Sequence, residues 1–255
     1  MNETLEGRSG TTADTVFAIL ETIEDRNGAH VTEIADELDL AKSTVYRHLS
    51  TLFDREYVVK AGNEYHLGFR FLALGEQTLR RRPEYELIQE KVEYLADETG
   101  ERVQFVVEDH GKGVHLFREV GENAIETDWQ AGNRFYIHQS ACGKAILSRL
   151  GDDRVTEIIE QHGLPVATEN TIKDEDELLA DLEQIRERGF ALNQEENTNR
   201  LCAVGVPLMT ESGTVVGSFS VAGASYRMEG SRLTEELPAI IQRAVNDVEH
   251  NSRFL

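Results

Sequence analysis

The chain has 255 residues, enough for one large domain or two ordinary ones, and its net charge is −21 because 47 acidic residues outnumber 26 Lys and Arg. An even spread of this charge would repel DNA at low salt, so a nucleic-acid site needs a local argument. With 40% hydrophobic residues retained, we interpret the acidic composition as a halophilic adaptation to a salty cytoplasm, where screening shortens the reach of charge. The alternative is an ordinary acidic protein.

Disulfide-rich, zinc-finger and membrane proteins are not expected. Cys142 and Cys202 form neither a CxxC pair nor a zinc-finger spacing, so no disulfide framework and no metal site is predicted. No apolar run approaches the ~20 residues of a membrane span, and the polar start MNETLEGRSG is unlike a signal peptide. We therefore expect a cytoplasmic protein without a membrane partner or a cofactor.

Apolar residues at helical spacing predict three short helices in the N-terminal part of the chain. The first helix is predicted over residues 12–27, with Thr11 or Thr12 as its N-cap. Thr32 is expected to cap the second helix. The third helix covers residues 42–54 and follows after a three-residue turn, a spacing typical of a helix-turn-helix.

A hairpin and a longer helix come next. The β-rich residues 57–60 and 65–67 predict a hairpin, which would be the wing of a winged helix-turn-helix. Apolar spacing over residues 69–82 predicts a helix that ends at Pro83. We therefore divide the chain into a winged helix-turn-helix domain, a linker helix and a second domain, over residues 1–68, 69–83 and 84–255.

The second domain alternates hairpins with helices. Helices are predicted over residues 83–99, 141–149, 153–162, 175–188 and 233–249. Strands are predicted over residues 102–108, 114–120, 125–129, 202–209 and 214–221. Hairpins on both sides of a helical insertion imply an antiparallel sheet flanked by helices, so the fold class is α+β rather than doubly wound.

Polar side chains suited to reading DNA cluster in the first turns of the third helix. Arg47 can bond bidentately to a guanine edge, and its neighbours suit phosphates or base edges. The predicted DNA-binding residues are Lys42, Ser43, Thr44, Tyr46, Arg47, His48 and Thr51. Residues 42–60 carry four basic residues against two acidic ones, so the patch is locally basic. The alternative is a three-helix core whose polar face has no function.

The segment VTEIADELDLAKSTVYRHLSTL, from Val31 to Leu52, strongly resembles the IclR family of bacterial and archaeal transcription factors. Residues 65–68, 132–145 and 202–223 also fit, so the resemblance covers the chain from about residue 12. It implies a winged helix-turn-helix joined to a GAF-like effector domain. It also implies double-stranded operator DNA, a homodimer that often pairs into tetramers, and an effector that is an organic acid or a sugar-derived metabolite.

The resemblance places an effector site in the second domain. Its residues would be Trp129, Ser140, Ala141, Cys142, Glu195, Cys202, Ser220 and Ala222, with Phe135 as a further apolar wall. Backbone N–H groups at the helix start near Ser140 would hold a carboxylate or phosphate. Ala222 replaces a serine common in the family, and Cys142 narrows the pocket, so the ligand should differ from those of acid-sensing relatives. Tight sheet packing is the alternative explanation of the small residues.

Two other functions compete with ligand-controlled transcription. An enzyme would use Cys142 or Cys202 as nucleophile and His138 as base, but no oxyanion arrangement is visible and His138 more simply anchors its loop. The second competing function is that of a protein-interaction module that has lost DNA binding. Gly143-Lys144 does not fit a phosphate-binding loop. Both cysteines are expected to face one cavity. Cys142 should be the more reactive of the two if solvent reaches it, because a helix N-terminus lowers a thiol pKa.

Overall fold

The computed structural model describes residues 11–124 and 130–251, and the chain divides after Arg81 into two units. The first unit consists of helices with a small three-stranded sheet, and the second is built on a six-stranded antiparallel sheet. This mixed architecture confirms the predicted α+β class.

The first unit contains helices α1 to α4 and strands β1 to β3. The helices are α1 (Thr12–Asp25), α2 (Val31–Glu37), α3 (Lys42–Asp54) and α4 (Arg70–Leu79). The strands are β1 (Ala29–His30), β2 (Val58–Ala61) and β3 (Glu64–Leu67), in the antiparallel order β1-β3-β2. Helix α3 follows its predicted bounds. The N-cap of α2 is His30 rather than Thr32, because the Glu33 carboxylate accepts the His30 backbone N–H at 2.7 Å.

One apolar face from each of the first three helices forms the core of this unit. Ile19, Ile23, Ile34, Val45 and Leu49 are all buried together. Burying these residues at helical spacing leaves the remaining positions of α3 on the outside. The sequence pattern therefore fixes which side of α3 faces solvent.

The second unit contains five helices and six strands among the described residues. The helices are α5 (Glu84–Thr99), α6 (Ala141–Leu147), α7 (Asp152–His162), α8 (Glu175–Arg188) and α9 (Leu237–Asn251). The strands are β4 (Arg102–Asp109), β5 (Lys112–Val120), β6 (Arg134–Tyr136), β7 (Ala191–Gln194), β8 (Leu201–Met209) and β9 (Val215–Ala224). Their antiparallel order is β6-β5-β4-β9-β8-β7.

Several details differ from the sequence-based expectation. The edge strands β6 and β7 were not predicted, because segments of three and four residues are too short to show a period. Helix α9 begins at Leu237 rather than 233, since Arg232–Glu236 forms a π-helical turn. The strand predicted over residues 125–129 lies outside the described residues.

The two faces of the large sheet carry different side chains. Phe105 and Phe219 lie on one face, where the Tyr85 ring of α5 packs against Phe105 at 6.4 Å between ring centroids. Gln104 and Ser220 are paired across β4 and β9 on the opposite face, and helix α6 packs there. Among the residues described, no helix is both long enough and apolar enough to cross a bilayer.

Candidate DNA-binding and effector sites

The outer face of α3 carries most of the predicted DNA-binding residues. Lys42, Ser43, Tyr46 and Arg47 are exposed, and Thr44 is half-exposed. Thr51 is exposed as well, but its hydroxyl donates to the Arg47 carbonyl at 3.1 Å within the helix. Polar and cationic groups therefore occupy one continuous face over the first turns, which is the end of a recognition helix that enters the major groove.

His48 does not lie on that face. Its side chain is only 8% exposed, because position 48 falls with Val45, Leu49 and Leu52 on the buried side of α3. We therefore remove His48 from the residues expected to reach DNA.

The start of α3 suits a phosphate. The N-cap is Ala41, whose methyl side chain cannot accept a hydrogen bond from the first backbone N–H groups. Such groups, with the positive end of the helix dipole, are a common binding site for phosphate, and the exposed Lys42 adds a positive charge beside them. In the hairpin of β2 and β3, which is the predicted wing, the Lys60 ammonium lies 5.5 Å from the Tyr65 ring centroid.

Helix α6 approaches the sheet closely because a glycine of β8 lies at the contact point. A Cβ on Gly205 of β8 would lie 2.5 Å from the Ala141 carbonyl, and real Cβ atoms do not approach backbone so closely. A Cβ on Gly143 would lie 1.8 Å from the Ile137 carbonyl oxygen, so the helix also packs tightly on the turn before it. The start of α6 therefore lies directly against β8.

Five of the predicted effector residues come together at this contact. Ala141 and Ala222 are buried against each other with Ala203. Cys142 Sγ accepts a hydrogen bond from Gln104 Nε2 at 3.6 Å and lies 3.4 Å from Ser140 Oγ. Gln104 in turn pairs with Ser220 across the strands.

Of the other three predicted effector residues, Cys202 and Glu195 lie elsewhere. Ala203 pairs with Ala222 on the α6 face, so strand alternation places the Cys202 side chain on the opposite face of the sheet. The two cysteines therefore do not face one cavity. Glu195 lies beyond β7 with φ 65°, and its carboxylate accepts the Arg200 N–H at 2.8 Å. Trp129 lies outside the described residues.

The Cys142 thiol is closed off from solvent. Complete burial raises its pKa, and the hydrogen bonds from Ser140 and Gln104 only partly oppose that effect. Cys142 was expected to be the more reactive cysteine if solvent reaches it, and its complete burial means that this condition is not met. His138 is also buried, and its Nε2 lies 3.2 Å from the Pro165 carbonyl oxygen, where it anchors a loop.

The structure adds charged residues that sequence reasoning did not connect with the site. Arg102 and Arg118 lie on β4 and β5 in register with Ala222 and Gln104. The alternation of polar Arg102 and Gln104 with apolar Val103 and Phe105 was a usable signal, because it marks a polar stripe on one sheet face. Knowing that α6 covers that stripe required the fold.

His115 on β5 is a further residue that sequence reasoning did not connect with the site. Its ring packs on the Phe135 ring, with 4.7 Å between the ring centroids and a tilt of 34°. Burial, with Arg102 and Arg118 nearby, lowers the pKa of His115 to about 4. Between pH 6.5 and about 4 the unfolded chain binds a proton at His115 that the folded protein does not. Stability should therefore fall by about 2–3 kcal/mol as the pH falls through this window.

We expect His115→Gln to reduce the loss of stability that accompanies acidification. Urea unfolding of wild type and variant at pH 7, 5.5 and 4.5 gives the free energy of unfolding at each pH, and this free energy should fall less in the variant. His250→Gln is the control, since the His250 side chain is exposed on α9. Identical pH slopes for wild type and His115→Gln would contradict the assignment.

Lys144 connects α6 to the rest of its unit through buried charges. Its side chain is 2% exposed, and Nζ lies 2.8 Å from Asp181 Oδ2 on α8 and 2.7 Å from Glu196 Oε2. Glu196 follows the predicted site residue Glu195, and the Thr168 hydroxyl donates to the Glu195 carbonyl at 2.6 Å. Lys144 thus holds the start of α6 and the loop after β7 together.

Comparison with protein families and relatives covers both units. Residues 12–62 match the IclR helix-turn-helix domain, and residues 77–250 match the bacterial transcriptional regulator IclR C-terminal domain. The chain is 27% identical over 248 residues to the probable regulator ArcR of Halobacterium salinarum, covering 96% of this chain and 94% of that protein. It is 30% identical over 234 residues to the regulator BhcR of Paracoccus denitrificans, covering 91% and 84%.

Solved structures of IclR proteins are similar to this chain along nearly its whole length. The Thermotoga maritima IclR structure has a TM-score of 0.78 at 26% identity, with 94% of this chain and 97% of that chain covered. An IclR homologue of Microbacterium hydrocarbonoxydans, complexed with 4-hydroxybenzoate, shares the fold with a TM-score of 0.79 at 22% identity, covering 94% and 98%. These families and relatives are regulators rather than enzymes. The chain therefore belongs to the IclR family of transcriptional regulators, with a helix-turn-helix DNA-binding domain and a C-terminal effector-binding domain.

Proposed function

We propose that this regulator binds an inverted-repeat operator as a homodimer and that a metabolite bound beside α6 changes its affinity for that operator. Helix α3 reads base edges through Arg47, while Lys42, Ser43, Thr44, Tyr46 and Thr51 contact base edges or phosphates. The observation that carries this proposal is the polar, cationic outer face of α3 in a chain whose net charge is −21. It acts in the cytoplasm, where the chromosome lies.

The effector is a small organic acid or a sugar-derived metabolite. The homologue solved with 4-hydroxybenzoate supports a pocket of this kind, as does the gathering of Ser140, Ala141, Cys142, Ser220 and Ala222. Footprinting of the DNA upstream of the gene tests the proposal, with and without a panel of acids and sugar acids. We expect two protected half-sites and a ligand that alters protection. Absence of any protected site would overturn operator binding.

Helix α4 supports the homodimer. None of its residues is buried, and two of its leucines are exposed, Leu72 by 64% and Leu74 as well. Phe69, which immediately precedes the helix, is 88% exposed. Apolar side chains left in solvent along one helix usually mark an interface. A second copy of this helix is the partner of matching chemistry.

We expect Leu72→Glu to convert the dimer into monomers and to weaken operator binding, because it buries a charge in the interface. Sedimentation velocity measures the assembly state and also distinguishes a dimer from a tetramer. Gln77→Glu adds the same charge to an exposed polar position of α4 and should leave the assembly unchanged. A Leu72→Glu protein that sediments like wild type would exclude this interface.

The acidic surface is a halophilic adaptation, and the relative from Halobacterium salinarum supports this origin. Because salt screens the repulsion among 47 acidic residues, the melting temperature should be higher in molar salt than in dilute buffer. Thermal melts at 0.1 M and 2 M KCl measure the difference. Equal midpoints would count against the adaptation.

A further inference from the structure

Two arginines lie on the sheet face that α6 covers. Arg102 on β4 pairs with Ala222, and Arg118 on β5 pairs with Gln104, whose other neighbour is Ser220. Directly opposed residues in an antiparallel sheet share a face, and diagonal neighbours are within reach of long side chains. Both guanidinium groups therefore belong to the same face as the predicted effector residues.

The two arginines make this face electropositive. Burial lowers the pKa of Arg102, and the neighbouring Arg118 lowers it further, so the two charges are close enough to repel each other. Both remain cations, and each guanidinium offers five N–H donors, so each can bind an anion in addition to its other contacts. An anion bound between them would relieve the repulsion.

Ser220 provides a neutral hydrogen-bonding group beside them. Its side chain is 1% exposed, and within the described parts of the chain its hydroxyl has no hydrogen-bond partner. Ser218, two residues earlier on β9, donates to the Val206 carbonyl at 3.0 Å and is satisfied. A buried hydroxyl without a partner is costly, so a ligand oxygen at this position would recover a hydrogen bond.

The start of α6 is less suited to the acidic group than its sequence indicates. Helix α6 has only seven residues, and Ser140 Oγ already accepts the Gly143 N–H at 3.0 Å. The Cys142 side chain lies against Gln104 rather than in open space. Positive charge for an anion must therefore come from another element.

Given the proposed effector binding, we propose that Arg102 and Arg118, together with the Ser220 hydroxyl, bind the acidic group of the effector. The arginine pair selects a carboxylate over a neutral isostere. The apolar body of the effector lies toward His115 and Phe135, whose rings pack together and form a wall beside the arginines.

Isothermal titration calorimetry of the full chain tests this selection. The probes are pyruvate, succinate, benzoate and gluconate, each compared with its amide. At least one acid should bind at least about tenfold more tightly than its amide, because a bidentate charged contact is lost in the amide. Arg102→Gln and Arg118→Gln should each abolish that preference. Absence of any acid preference in wild type, or its persistence in the double variant, would overturn the proposal.

Control variants distinguish the loss of an arginine charge from a loss of folding. Arg243→Gln removes an exposed charge on α9 and should leave acid binding unchanged. Arg102→Lys and Arg118→Lys keep the charge and should retain part of the preference, so a variant that merely misfolds is recognised. Ser220→Ala should weaken the acid about three- to tenfold without lowering the melting temperature of the free protein, since it removes an unpaired buried hydroxyl.

The same proteins distinguish this inference from operator binding. Footprinting without ligand reports on α3 alone, since none of these substitutions lies in the first unit. If the wild-type protein protects no DNA site but still prefers an acid over its amide, operator binding is refuted and the arginine site is retained. If it protects a DNA site but shows no preference for any acid, the arginine site is refuted and operator binding is retained.

Discussion

Replacement of Lys144 by methionine should lower the free energy of unfolding by about 3–5 kcal/mol, because it leaves Glu196 without its buried counter-ion and Asp181 with only the Arg188 guanidinium at 3.6 Å. Asp181 and Glu196 are 20% and 11% exposed, and burial already raises the pKa of Glu196 despite the lysine. Methionine preserves most of the side-chain volume, so the loss reports on charge rather than on a cavity. Urea denaturation at pH 7, followed by circular dichroism, measures it.

A surface ion pair of the same unit is the matched control. Lys91 Nζ lies 2.7 Å from Asp247 Oδ2, but that carboxylate is 58% exposed, so Lys91→Met should cost at most about 1 kcal/mol. Adding Glu196→Gln to Lys144→Met should recover part of the stability, since one unpaired charge is removed. If Lys144→Met is no less stable than Lys91→Met, the buried cluster contributes no more than a surface pair.

The structure also shows how far the sequence alone could lead. Periodicity predicted the approximate bounds of α3 and identified its polar face, because three helices with one apolar stripe each can pack in few ways. It did not exclude His48, although position 48 lies three residues after Val45 and beside Leu49, so the helical spacing that buries those two residues also turns the His48 side chain inward.

The effector site was less accessible to sequence reasoning. Local sequence placed Ser140 and Cys142 at a helix start, but neither the burial of Cys142 nor its contact with Gln104 follows from local sequence. Cys202 was placed in the site although strand register turns it to the other face. Side-chain direction in a sheet changes with a single residue of register, and only strand pairing determines it.

The arginines on β4 and β5 illustrate the same limit at longer range. Arg102 and Arg118 are 16 positions apart, and they share a face only because a β-bulge after Phe105 shifts the register of their end of the hairpin by one residue. A chain with a net charge of −21 repels small anions on average, so an anionic effector requires local cations of this kind.

Arg47→Ala should weaken binding to the preferred operator by about 5- to 150-fold and abolish discrimination at one base position, since a bidentate contact to guanine contributes about 1–3 kcal/mol. The fold should be unaffected, because the Arg47 side chain is exposed on α3. Competition gel shifts against operators with every single-base substitution measure both effects.

Two matched variants show whether this loss is specific to base recognition. Lys42→Ala removes a charge placed to contact phosphate, so it should weaken binding to all sequences alike and reduce the salt dependence by about one counter-ion. Arg26→Ala removes the same charge from the end of α1, where Arg26 pairs with Glu37 at 2.6 Å, and should change neither property. If Arg47→Ala instead behaves like Lys42→Ala, then Arg47 contacts the backbone, and base recognition must rest on Ser43, Thr44 or Tyr46.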